Sequence, residues 1–552
     1  MKSKPIKNSI KPAAVHYSKL LPDNFVRSGK GKAQHVQINE HSDLFQGENA
    51  KGIHSPLLMG QAKLKFLSDM DLAQPDPPKP QPAVKPFKPS FPFGHDPQVA
   101  VGLHYVVAIE AHQVAFYDKS GNALAPKNSI PTSMSSYDLF QRFLSPTNPD
   151  GSANLENVNR HAGFVPTNPP LPCDVNTNDG TSCINEVYDL RVAYDPKRNR
   201  FIFAGVARNQ MWVKDTGDCL VENGCYHTDD PRAALARRYT MFAMTVSEDP
   251  RDGFHTYWVT SGGDWDQIAV TESYFLITYN SVGNTLTDPL ICIFSADDMA
   301  TGSSAVASWG YFASDLGVTA GVRPVTIHDA TGGWVYFVAP SGTSIVVWAW
   351  FPPNRPNVRP ALVKASASVG SETGMIRGKA VLKSGKIHLT FGSYPGCPPN
   401  PGGLSECPCK VRIIKIALNW NGQTLSAGKD FECFFGHPGP EDDPSDFVSY
   451  ELPSLEVNKK GDVVVAYMRR PLKTKFRLFN EVRFSILYHN ELSPRRSILL
   501  KKGEGRATEN PFEASIDLAV LALDPSDKLT IWVTHAYGKS GGYGMIVGNV
   551  KT

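Results

Sequence analysis

Residues 188–208 read YDLRVAYDPKRNRFIFAGVAR. Two apolar runs, rich in aromatic and β-branched residues, flank the polar turn DPKRN, which is the pattern of a β-hairpin. The pattern recurs along the chain. It is seen in DPQVAVGLHYVVAIEAHQVAFYDKSGN (96–122), DWDQIAVTESYFLITYNSVG (264–283), RPVTIHDATGGWVYFVAPSG (323–342), RGKAVLKSGKIHLTFGSYPG (377–396), ELPSLEVNKKGDVVVAYMRR (451–470) and DLAVLALDPSDKLTIWVTHAYG (517–538). The turns DATGG, KSGK and NKKGD supply residues that accept left-handed backbone. Further apolar strands follow most of the hairpins, among them LICIFSA (290–296), SIVVWAWF (344–351), KVRIIKIALNW (410–420) and EVRFSILYH (481–489).

Seven hairpins with following strands describe repeating four-stranded units. Such units bury each other's faces around a ring and leave only short protected edges. The expected fold class is therefore all-β: a seven-bladed β-propeller with an N-terminal proline-rich extended arm. A β-helix needs a shorter and more constant repeat, and a pair of sandwiches does not account for seven similar hairpins. The last strand, YGMIVGNV (543–550), ends beside the C-terminus. Closure is thus expected from strands of the two ends, 96–128 and 517–550, sharing one sheet.

Three regions are expected: a basic arm over 1–73, a proline-rich connector over 74–95, and the propeller over 96–552. The connector carries eight prolines in residues 74–94. It favours extended polyproline II backbone and reads as a stiff spacer or a strap across the body. Residues 1–95 carry 14 basic and 7 acidic side chains, and the remainder 42 and 46. A basic arm therefore precedes a mildly acidic body. Docking of the arm on that body or on a neighbouring subunit is favoured over nucleic acid, because the apolar clusters HSPLLMG (54–60) and LKFLSDM (64–70) are costly to leave in water. No apolar run is long enough to span a membrane.

Nine cysteines are present. Eight of them, Cys173, Cys183, Cys219, Cys225, Cys397, Cys407, Cys409 and Cys433, fall in loop-like sequence at short spacings, which suits local disulfides and an extracellular or periplasmic location. The alternatives are free thiols in a cytoplasmic protein and a zinc site from Cys397, Cys407, Cys409 and Cys433, although Cys-Pro-Cys is a poor ligand spacing. Cys292, in the apolar run LICIF, reads as a buried thiol.

The phrases DPQVAVG (96–102), VAFYDKSGN (114–122), VAYDPKRNRFIFA (192–204), SEDPRDGFHTYWV (247–259), DWDQIAV (264–270), YFLITYN (274–280) and LALDPSDKLTIWVTHAYG (521–538) resemble secreted bacterial propeller proteins of the uncharacterised, sialidase-like type. The resemblance covers roughly 95–552 and implies fold and export, not a reaction. Ser247, Asp249, Gly253 and Trp258 also resemble the sialidase Asp-box, with two extra residues. That element is a turn away from the sialidase active site.

In a propeller, the residues before the first strand and after the second strand of every unit meet around one mouth of the channel. This gathers Asp96, Gln98, Asp189, Arg191, Asp264, Asp266, Gln267, Arg323, Arg377, Lys379, Glu451 and Asp517 with Arg208, Asn209, Asn280, Tyr394, Arg469, His535 and Tyr537. Asp189, Arg191, Asp266, Arg323, Arg377 and Asp517 are the expected ligand-binding set, for a polar or anionic extracellular ligand or another protein. Asp96, Asp189, Asp266 and Asp517 are hard oxygen donors suited to Ca²⁺. Glu451 and His535 are the candidate acid and base of a carbohydrate-active enzyme, a glycoside hydrolase or polysaccharide lyase, at the same mouth. A sialidase reading lacks an Arg-Ile-Pro signature, and adjacent Tyr450 and Glu451 on one strand point to opposite faces. Gly-x-Gly-x-x-Gly, P-loop and His-Glu-x-x-His motifs are absent. A binding propeller is therefore the leading expectation and the enzyme the alternative. His328, His388 and His489 read as packing or surface residues rather than ligands.

Overall fold

The computed structural model describes residues 13–14, 86–91, 96–110, 113–128, 130–136, 139–140, 186–208, 221–222, 225–226, 238–260, 263–281, 289–303, 306–318, 321–353, 358–370, 376, 378–393, 410–420, 424–435, 448–471, 479–495, 497–505, 519–540 and 542–552, with backbone alone at several strand ends. Within these the strands form successive antiparallel meanders. The first unit contains Gln98–Val101, Tyr105–Glu110, Gln113–Asp118 and Ser133–Ser135. The second contains Glu186–Asp195, Arg200–Arg208, Arg238–Thr245 and Phe254–Thr260. The third contains Gly263–Val270, Tyr274–Ser281, Pro289–Ser295 and Ser308–Phe312. The fourth contains Arg323–Ile327, Val335–Ser341, Ser344–Trp350 and Val363–Ser368. The fifth contains Ala380–Lys383, Lys386–Ser393, Lys410–Trp420 and Leu425–Phe435. The sixth contains Val448–Val457, Val463–Pro471, Glu481–Leu487 and Ile498–Lys501. The last contains Val520–Leu523, Thr530–Lys539 and Gly542–Lys551.

The first strand of each unit is the inner one. It touches the inner strand of the next unit, and that of the last unit touches that of the first. The fourth and fifth inner strands also pair in parallel, from Val325↔Ala380 to Ile327↔Leu382. An apolar cluster fills every gap between consecutive units, including the gap from last to first. Trp348 and Trp350 lie in one of these clusters, between the third and fourth units, as their period-two spacing implies. Cys292 is buried between the second and third. Sheets that face one another in a closed cycle define a β-propeller.

Closure differs from the expectation. Residues 96–128 and 517–550 do not share a sheet; they form neighbouring units with a common core of Val99, Val101, Trp532, Met545 and Val547. The added outer partner comes from the connector: Phe87 exchanges both backbone hydrogen bonds with Val547, at 2.9 and 3.0 Å. Its ring packs 4.8 Å from that of Tyr117 in the first unit. Pro86 and Pro89 on either side of Phe87 have no N–H to donate, which confines the pairing to this one residue. Residues 86–91 thus lie against the last unit; the rest of the connector is outside the described residues. Of the arm itself, Ala13–Ala14 pairs in parallel with Tyr257 and Trp258 on the outer strand of the second unit; the clusters at 54–60 and 64–70 lie outside the described residues.

The inner strands share a residue pattern. Aligned by ladder register, the described residues that open them are Asp96, Asp189, Trp265, Gly321 and Leu452. Of these, Asp96, Asp189, Gly321 and Leu452 hold left-handed backbone, at φ 43°, 53°, 76° and 52°. Two residues on come Gln98, Arg191, Gln267, Arg323, Lys379, Ser454 and Val520, a mainly polar level. Two further on come Ala100, Ala193, Ala269, Val325, Val381, Glu456 and Ala522. That level is small and apolar in every unit but one, because the next unit packs closely against it.

Candidate functional site

The left-handed residue that opens an inner strand turns the chain into the ring, and the strand then runs from the mouth toward the opposite face. Ladders of the second, third and sixth units shift register at this point, between Tyr188 and Arg191, Asp264 and Gln267, and Glu451 and Ser454. A bulge of this kind re-aims side chains at a rim. The polar level beneath is held tightly. Arg323 Nε donates to the Ile376 carbonyl at 2.8 Å, and Arg191 Nη1 to the Leu190 carbonyl at 3.3 Å. Second-strand hydroxyls tie neighbouring units: Thr278 donates to the Val322 carbonyl at 2.9 Å and Thr390 to that of Pro453 at 3.3 Å. Gln98, Arg191, Arg323 and Ser454 are buried, whereas Asp189 and Gln267 are half-buried and Asp96 is buried.

The expected site residues fall into three groups. Asp96, Asp189, Arg191 and Arg323 lie where their inner strands open, at the same end of each strand. Asp266 lies there by its backbone, while its side chain, and all of Arg377 and Asp517, are outside the described residues. Glu451 and His535 are at this end too, but neither is presented to an open space. Glu451 is buried and held by both nitrogens of a guanidinium fork, at 2.9 Å from Arg470 Nε and 2.7 Å from Arg470 Nη2. Its neighbour Tyr450 faces the other way, 5.6 Å from the Tyr467 ring in the core, as strand alternation requires. His535 is fully enclosed; Nδ1 accepts the Ala536 amide at 2.8 Å, and burial lowers its pKa to about 3, so the ring stays neutral.

Among the described residues no group of three or more His, Cys, Asp or Glu side chains is placed to hold a metal. Of the four expected Ca²⁺ donors, Asp517 and the Asp266 side chain lie outside the described residues. Cys433 is corrected: it carries a free thiol on the outer strand of the fifth unit, where burial raises its pKa to about 12. A raised pKa keeps the sulfur protonated and unreactive. Cys225 lies in a short strand, and Cys173, Cys183, Cys219, Cys397, Cys407 and Cys409 fall outside the described residues.

The residue that the sequence reading missed lies deeper. Glu456, the exception in the apolar level, is fully buried. Its Oε1 lies 2.7 Å from Nε2 of His328 in the fourth unit and accepts the Val457 amide at 2.9 Å. Its Oε2 accepts from Nζ of Lys379 in the fifth unit at 2.5 Å, and that ammonium also donates to the Leu521 carbonyl of the last unit at 3.1 Å. Burial alone would raise the Glu456 pKa; the Lys379 charge, then His328, outweigh it and bring it to about 2. One carboxylate thus joins four units across the axis. Side-chain exposure falls from 29% at Lys379 and 19% at His328 to 0% at Glu456. The signal was available: in the aligned inner strands, Glu stands where six others have Ala or Val.

The opposite face is built from turns. Asp195 accepts the amides of Lys197 and Arg198, and Asn458 those of Lys460 and Asp462. The expected left-handed glycines are present at Gly332, Gly333, Gly385 and Gly461. The Asp-box-like segment is one such turn, between the third and fourth strands of the second unit. Ser247 Oγ accepts the Asp249 amide at 3.0 Å, and Asp249 grips Arg251 at 2.8 Å through each oxygen. Lys127 of the first unit reaches Asp249 at 3.0 Å and Asp252 at 2.6 Å. The segment staples two units together, far from the mouth.

No family model matches the chain, and no curated protein matches it. Similar solved structures include a protein of unknown function from Dyadobacter fermentans, at 10% identity over 85% of this chain and 96% of that one, with a TM-score of 0.33. The hemagglutinin-neuraminidase of parainfluenza virus 5 aligns at 8% identity over 64% and 87%, with a TM-score of 0.35. A Trypanosoma rangeli sialidase aligns at 10% identity over 67% and 54%, with a TM-score of 0.32. The fold assignment rests on the sheet order and the closed cycle of cores. No helix among the described residues is long and apolar enough to cross a membrane.

Proposed function

We propose that the chain is a seven-bladed propeller that binds a polar or anionic ligand at its mouth, and that it is a secreted or periplasmic binding protein rather than an enzyme. One observation carries the choice of binding over catalysis: the two side chains best suited to proton transfer at the mouth are both committed. Glu451 is clasped by Arg470, and His535 is neutral and enclosed. A general acid or base has to reach the proton it moves. A polar rim above an apolar level is, by contrast, what a binding mouth needs: groups that orient a ligand over a floor that does not yield. Asp189 at the opening and Gln267 on the level of Arg191 and Arg323 are half-buried, while the two arginines are buried. Export is supported by the loop cysteines at Cys173, Cys183, Cys219 and Cys225, and by the resemblance in the hairpins. Residues 1–73 serve as an arm against the propeller's outer surface.

The test is a binding screen of the full chain against an array of neutral and acidic glycans, alongside Asp189→Asn and Arg323→Gln. Asn tolerates the left-handed backbone at 189, so the first variant removes charge with little strain. Binding that weakens at least tenfold in Asp189→Asn, with unchanged melting, supports the mouth. Turnover of any array member would favour the enzyme reading instead.

A further inference from the structure

We propose that Glu456, Lys379 and His328 form an ionic lock that seals the propeller axis, so that the mouth is a blind pocket for a small polar molecule or the end of a chain. The ligand class rests on the mouth reading above; the lock does not. The first argument is the broken repeat. At the level of Glu456, Ala100, Ala269, Val325 and Val381 are buried and Ala193 and Ala522 half-buried, while Glu456 itself is wholly enclosed. A carboxylate there carries a large desolvation cost unless it is fully partnered. Glu456 is partnered by an ammonium, an imidazole and an amide, from three inner strands.

The second argument is direction. Lys379 precedes the fifth inner strand and reaches inward from the mouth, while His328 follows the fourth and reaches back from the opposite face. The two converge on one carboxylate, and their stems occupy the axis from both sides. Parallel pairing of the fourth and fifth inner strands narrows the ring at the same place. Around the lock, Lys383 engages Asp329 at 3.4 Å and Lys386 engages Asp430 at 2.7 Å, so the neighbouring charges are committed elsewhere. A polymer cannot thread a channel filled in this way. A ligand enters and leaves by the rim alone.

Hydrogen exchange read by mass spectrometry tests the lock in the full chain. In Glu456→Gln, peptides covering 323–328, 378–383, 452–458 and 519–523 are expected to exchange at least tenfold faster, with the first three units unchanged. Acceleration confined to 452–458, or none, overturns the lock. If Glu456→Gln does not fold, the triple variant Glu456→Ala, Lys379→Ala, His328→Ala removes all the charges together. Faster exchange in the same four peptides supports the lock, and wild-type protection overturns it. The ligand class is tested with oligosaccharides offered with free ends and as cyclic or end-blocked forms. Binding of free ends alone supports the blind pocket, and equal binding of cyclic forms overturns it. If no form binds, the mouth reading fails, and the exchange result still decides the lock.

Discussion

Glu451 and Glu456 lie on the same inner strand, five residues apart, and both are buried, yet they do different work. Glu451 is held within its own unit, by Arg470 on the adjacent strand. Glu456 is held by residues of two other units, one of which bonds a third. The first pair stiffens one mouth segment. The second makes four units depend on one carboxylate. A buried charge therefore has to be judged by where its partners come from, not by burial alone.

Removing Glu456 should have the largest effect. Glu456→Ala leaves Lys379 and His328 facing each other without their counter-charge and is expected to cost about 3–5 kcal/mol by denaturant unfolding. Ala269→Glu, which puts a carboxylate at the same level of the third unit without partners, is expected to cost as much; tolerance there would break the comparison. Glu451→Gln should cost less, about 1–3 kcal/mol, because only one neighbour is left unsatisfied.

Acid should separate the two ends of the fold further. A carboxyl that drops from 4.5 when unfolded to about 2 in the fold binds fewer protons when folded. Its contribution, about 3 kcal/mol, is complete above pH 4.5 and disappears as pH falls toward 2. The stability gap between wild type and Glu456→Gln is expected to close over that window. His535 acts earlier. Its folded pKa of about 3 lies below the ordinary value of 6.5, so the unfolded chain takes up the proton first. Stability is unaffected above pH 6.5 and is expected to fall by about 2 kcal/mol by pH 5. His535→Gln should flatten that slope in pH-dependent melting.

The smallest effects belong to the periphery. Phe87→Ala removes the connector's ring from Tyr117 and is expected to cost about 1–2 kcal/mol. Asp249→Asn should cost about 1 kcal/mol or less, since its pairs with Arg251 and Lys127 are partly exposed. A loss at Asp249 as large as that at Glu456 would mean that the opposite face, and not the axis, holds the ring together.

The repeating units were legible in the sequence because each hairpin combines a period-two apolar pattern with a turn of fixed chemistry, as at Asp195 and Asn458. The mouth was legible only as a direction: Asp96, Asp189, Arg191 and Arg323 lie where inner strands open, which the hairpin order gives. What each side chain does there was not legible. Arg470 lies beside Glu451 only through a bulged register, and enclosure of His535 depends on the sixth unit packing over it. The connector was half legible: its prolines excluded a sheet interior, but the single pairing of Phe87 with Val547 depends on where the last unit ends. Glu456 was written in the strand alignment, but its partners His328 and Lys379 are 128 and 77 residues away.

Hydrogen exchange of the unmodified protein tests the sealed ring most directly. The inner strands, at 98–101, 190–195, 267–270, 323–327, 380–383, 454–457 and 520–523, are expected to exchange slowest and with similar rates, because they line one closed ring. Inner-strand amides that exchange as fast as those of the outer strands, in even one unit, would contradict it.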